Sequence, residues 1–146
     1  MKKYMVAAAL LAVTASPLAA QDTVELKTKS GVIGAPAAGK GLIVFYRPGS
    51  MMGMALGCTV HEGTAELARL GSGKYYTVTA EPGKHVYNTE GEAKDVLNLE
   101  VEPDETYFVK CKIGMGVMSG RANLSPSDKA AFAAKAKGLA IWTPKK

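Results

Sequence analysis

The stretch YYTVTAEPGKHVYN, Tyr75 to Asn88, holds two strand-forming runs separated by Glu81-Pro82-Gly83. Tyr75, Tyr76, Val78, Val86 and Tyr87 suit pleated backbone, because aromatic and β-branched side chains pack well on a half-buried sheet surface. Pro82 presets φ for a turn, and Gly83 accepts the positive φ that follows. The stretch therefore predicts two strands, with Lys84 to Asn88 pairing back on the Tyr75 strand across a tight turn.

Working outward, the same alternation recurs. Asp95 to Val101 places Leu97, Leu99 and Val101 on one face, with Asn98 and Glu100 on the other. Thr106 to Ile113 places Tyr107, Val109, Cys111 and Ile113 together, opposite Phe108, Lys110 and Lys112. On the N-terminal side, Gly41 to Arg47 (GLIVFYR) is a continuous apolar run that predicts a strand buried on both faces. Cys58 to His61 and Thr64 to Leu70 predict a hairpin around Glu62-Gly63. Gly114 to Gly120 predicts a Gly-rich loop without the lysine and hydroxyl of a phosphate loop, and Arg121 to Leu124 a short strand. Ser125-Pro126-Ser127-Asp128 reads as a helix start, with Ser125 as cap and Pro126 in the first turn; the helix runs to about Lys137 and stops at Gly138. The fold expected is all-β: a small antiparallel β-sandwich of about seven strands with a short C-terminal helix.

Residues 1–20 carry Lys2 and Lys3, an apolar stretch through Val13 and small residues before Gln21, the pattern of a secretory signal rather than a spanning helix. Cleavage after Ala20 leaves 126 residues (146 less 20) and lowers the formal charge from +5 to +3. The expectation is a periplasmic or secreted protein with no transmembrane segment after cleavage, an arm or linker over 21–40 that includes a short edge strand at Thr23–Leu26, and one domain over 41–146. The small excess of Lys is spread among carboxylates, which argues against a nucleic-acid partner. Cys58 and Cys111 are the two cysteines of the chain. In an oxidising compartment they form either one stapling bridge or two buried thiols.

Ser50 to Gly57, SMMGMALG, is the unusual segment. Its methionines have three readings: filling core gaps, which is the default; lining an adaptable binding surface with Arg47; or offering thioethers to Cu(I). The candidate binding patch is Arg47, Met51 and Met52. The candidate metal set is Met51, Met52, Met54, His61, Met115 and Met118. A Ser72–His85–Asp95 triad and a Cys58–His61 pair can be written down, but neither has a supporting motif, so no catalytic residue and no cofactor is assigned. Glu100, Glu102, Asp104 and Glu105 surround a proline turn, where exposed charge is ordinary.

Taken in order, Phe45-Tyr46-Arg47, Gly73-Lys74-Tyr75-Tyr76, Glu81-Pro82-Gly83-Lys84-His85 and Glu105-Thr106-Tyr107-Phe108-Val109 resemble a family of uncharacterised bacterial envelope domains, domain of unknown function 2846. The resemblance spans roughly Gly41 to Leu124. It implies a small antiparallel sandwich exported or tethered to the envelope, without an assigned activity. It brings no catalytic residues. This chain departs from lipid-attached relatives in lacking a signal-peptide cysteine. The function expected is non-enzymatic: binding or supporting an envelope protein or cell-wall polymer, with periplasmic Cu(I) binding as the alternative and hydrolysis as a remote third.

Overall fold

The computed structural model describes residues 26–90, 95–115 and 120–146. The expected signal, its cleavage point, Thr23 to Val24 to Glu25, and Met118 lie outside the described residues. The structure is mostly β with one short C-terminal helix, and its strands form three sheets. The first is a two-residue ladder of β1 (Lys27–Thr28) and β2 (Gly31–Val32).

A five-stranded sheet contains β3 (Gly41–Arg47), β6 (Lys74–Ala80), β9 (Thr106–Met115), β10 (Gly120–Ser127) and β11 (Ala140–Ile141) in the order β10-β9-β3-β6-β11. It is mixed rather than purely antiparallel, because β3 runs parallel to β9 and β11 parallel to β6. A four-stranded antiparallel sheet holds β4 (Cys58–Glu62), β5 (Ala65–Leu70), β7 (Gly83–Thr89) and β8 (Val96–Val101) in the order β5-β4-β7-β8. The β4–β5 hairpin is the one the sequence predicts, with Gly63 at φ 61° in its turn.

Tyr75 to Asn88 is different from its expectation. The strands β6 and β7 do not pair: β6 lies between β3 and β11, while β7 lies between β4 and β8. Glu81-Pro82-Gly83 is a corner that carries the chain from one large sheet to the other, with Gly83 at φ 129°. A Pro-Gly turn reverses the chain equally well in either role; which edges are already occupied decides between them.

The two large sheets share one buried cluster, to which Ile43 and Phe45 of β3, Val60 of β4, Leu70 of β5, Tyr87 of β7 and Val109 of β9 contribute. Phe45 and Tyr87 meet edge to face across it, with ring centroids 4.9 Å apart. Cys58 and Cys111 are bonded to each other there, joining β4 of one sheet to β9 of the other. The opposite face of the five-stranded sheet is covered by α1 (Lys129–Ala136). Phe132 of α1 sits among Tyr46, Tyr75 and Phe108. This second cluster is why GLIVFYR is apolar at every position: alternate side chains of β3 face the other sheet or the helix. Leu26, Ile33 and Leu139 complete the helix-side cluster, so the segment from Leu26 is packed on the domain rather than extended as a free linker.

The helix starts later than the sequence suggests. Asp128 is the cap, its carboxylate accepting from Ala131 N at 2.7 Å, while Ser125 and Pro126 belong to β10. Proline is tolerated there because β10 is the edge of its sheet. Likewise β9 runs through Gly114 to Met115, where the sequence suggests a loop.

Candidate functional site

Arg47 ends β3, and Pro48-Gly49 releases the chain into the Ser50–Gly57 loop. The Arg47 side chain turns under that loop and is 2% exposed. Its guanidinium donates to the carbonyls of Leu56, Gly53 (2.6 Å) and Leu70 (3.3 Å). Leu56 N donates to Gly53 O at 2.9 Å, and Ser50 and Ser72 exchange backbone-to-hydroxyl bonds of 2.9 and 3.1 Å. Burial lowers the Arg47 pKa, although a guanidinium keeps its charge at any physiological pH. Buried arginine is thus the internal support of the loop, and it is not part of the exposed patch with Met51 and Met52.

The loop leans on the far end of the β9–β10 hairpin. A Cβ placed on Gly53 would stand 2.8 Å from Ile113 Cγ2, and one on Gly120 would collide with Leu56 Cδ1. Gly120 faces Met115 in register. Two segments about sixty residues apart in sequence therefore meet at one end of the molecule. Met51, Met52, Met54 and Met115 are 90, 60, 64 and 83% exposed there, and Leu56 joins them at 41%. The default reading of these methionines as core filling is overturned: among the described residues every methionine is exposed, and every one is at this end.

The other candidates are dispersed. His61 lies on β4 with Nε2 3.4 Å from Glu90 Oε1, and its Nδ1 is buried with no hydrogen-bond partner among the described residues. Its partner in the structure is a carboxylate, not a thioether. The Ser72–His85–Asp95 triad does not assemble. Ser72 binds Ser50, Asp95 accepts from Leu124 N at 2.7 Å, and His85 engages Glu62 and Glu81. Cys58 is in the disulfide and so offers His61 no thiol. Asp104 accepts from Gly39 N at 2.8 Å, a turn-stabilising role.

His85 is the most perturbed histidine. Nδ1 lies 2.5 Å from Glu62 Oε1 and Nε2 2.7 Å from Glu81 O, and the ring stacks on Tyr87. Both neighbours are acceptors, so both ring nitrogens must donate, which favours imidazolium; the Glu62 hydrogen bond is the main cause of its raised pKa. Desolvation likewise pushes the Tyr87 phenol far above its ordinary range. Its hydroxyl is buried without a partner among the described residues.

A feature the sequence does not announce adjoins the loop. A cleft of about 730 Å³ is lined by Met54, Leu56, Arg69, Lys74, Trp142 and Lys145, with Glu66 the one carboxylate among the described residues that line it. Gly57 leaves room for Arg69 to lie flat: a Cβ there would be 2.6 Å from its Nε and 2.8 Å from its Cγ. Trp142 stacks edge to face on Tyr76 at 5.6 Å, and its backbone N–H donates to Tyr75 O. Arg69 and Lys74 flank the turn between β5 and β6, and Lys145 joins them because β11 pairs with the start of β6 at Lys74. Distance in sequence conceals the approach of Trp142 and Lys145 to this pair; topology brings them together.

Among the described residues no helix is long and apolar enough to cross a membrane, and no group of three or more His, Cys, Asp or Glu is placed to hold a metal ion. No curated protein and no solved structure matches the chain. The family model that does match, protein of unknown function DUF2846, covers residues 37–122. That range runs from before β3 into β10, and so includes the Met loop, the disulfide and the inter-sheet corner. The chain belongs to the DUF2846 family.

Proposed function

We propose that this protein is a non-enzymatic, exported β-domain that binds an envelope component through its methionine-bearing end. The observation that carries the reading is the four exposed methionines at this end, three on a loop held from beneath by Arg47 and Met115 at the end of β9. Unbranched thioether side chains adapt to an apolar partner, and four of them in water serve no packing purpose. The anchored backbone below lets the side chains adapt while the surface keeps its place. The periplasm is the compartment proposed, in accord with the signal-like N-terminus and the disulfide. The test is site-specific photocrosslinking in intact envelopes from Met52 and, as control, from Glu102 at the other end. A defined adduct from Met52 alone, lost on Met51→Ser/Met54→Ser, is expected; equal labelling from both positions overturns the reading.

A second reading is favoured by the convergence of the two methionine-bearing segments: Cu(I) held by Met51, Met52, Met54 and Met115. Cu(I) is soft and accepts thioether ligands. Leucine keeps the apolar surface but removes sulfur, so the two readings separate cleanly. Stoichiometric Cu(I) binding abolished by Met51→Leu/Met52→Leu/Met54→Leu supports the metal reading; no binding by the folded parent protein rejects it.

A further inference from the structure

We propose that the envelope component met by this end is an anionic phospholipid surface. The inference rests on the binding reading above and names the partner. Met51, Met52, Met54 and Leu56 form an exposed apolar tip, and the cleft directly beside it gathers Arg69, Lys74 and Lys145 against one Glu66. On the other flank, Arg121 faces Gly114 in register, one position from Met115. Lys137 stands at the C-terminal end of α1, which leads through Leu139 to β11 beside Lys74. At the opposite end of the sheets carboxylates are in excess, beside Lys84 and Lys129. Glu81, Glu102, Asp104 and Glu105 gather where β3 and β9 begin, with Lys40 paired to Glu81. An apolar tip ringed by cations, on a molecule whose far end is acidic, fits acyl chains beneath anionic headgroups.

The loop backbone suits that environment. A segment pressed into the interfacial region must have its polar groups engaged, and the Gly53 and Leu56 carbonyls are already bound by Arg47. Trp142, packed edge to face with Tyr76, lies in the same cleft, and indole rings favour the membrane interface.

The experiment is sedimentation of the purified protein with phosphatidylglycerol/phosphatidylcholine vesicles and with pure phosphatidylcholine vesicles, at low and high salt. Binding to the anionic vesicles alone, weakened by salt, is expected. Each cation contributes about fivefold to partitioning at an anionic surface, so Arg69→Gln/Lys74→Gln/Lys145→Gln lowers it by about two orders of magnitude. These positions are at the surface, and an unchanged thermal unfolding curve confirms an intact fold. Met51→Ser/Met52→Ser lowers binding with the charges intact. Equal binding to both vesicle types, or no effect of the triple variant, overturns the proposal. So does failure to bind any vesicle, and if Met52 still crosslinks one defined protein in envelopes, the binding reading survives without the lipid.

Discussion

Arg47 shows how one residue can be misread from its place in the chain. At the end of a strand and before a loop it reads as a member of an exposed patch with Met51 and Met52, yet it is buried with its donors on three carbonyls. Arg47→Met keeps the volume but orphans those carbonyls. It is expected to lower the unfolding free energy by about 3 kcal/mol in urea titrations. Arg47→Lys should recover only part of this, because one ammonium cannot reproduce the fork. His85 gives a pH dependence of definite sign. Its pKa is raised in the folded state, chiefly by the Glu62 hydrogen bond and further by Glu100, while the unfolded imidazole titrates near 6.5. Folding therefore binds protons: the contribution is complete below pH 6.5 and is lost as pH rises through the higher folded value. An NMR titration should place the His85 midpoint above 6.5, and Glu62→Gln should bring it down.

At the level of elements, the strands were largely legible and their partners were not. The alternation in Thr106 to Ile113 correctly puts Val109 and Cys111 inside, and the two-faced burial of GLIVFYR follows from its composition. Phe108 is the instructive exception: it lies opposite Cys111 in the alternation, but α1 covers that face, so it is buried as well. The Pro82-Gly83 turn predicts a β6–β7 pairing that does not form, because turn chemistry is local, whereas edge occupancy is set by β3 and β11 on one side and β4 and β8 on the other. Ser125-Pro126 carries a valid capping signature, but ladder bonds to β9 persist to Ser127 and leave Asp128 as cap. The disulfide was one of two open readings, and the structure selects it. It joins sheets across a sequence separation of 53, which in the chain-entropy model corresponds to about 4 kcal/mol. The Cys58→Ser/Cys111→Ser variant should lose roughly that amount. A midpoint equal to the parent's would show that the bridge does not staple the fold.

The whole molecule has two ends of different chemistry: methionine and cations at one, carboxylates and the inter-sheet corner at the other. Composition reports a modest net charge and seven methionines, and neither number carries their positions. The topology separates them, through the loop after β3, the hairpin of β9 and β10, and the return of β11 to β6. The most direct measurement of the central claim is hydrogen exchange on the protein with and without envelope vesicles from its own host. Slowed exchange confined to Ser50–Gly57, the Met115 end of β9 and the Trp142 segment is predicted. Protection centred on Glu81–Gly83 and Glu102–Glu105, with the methionine end unchanged, would contradict it.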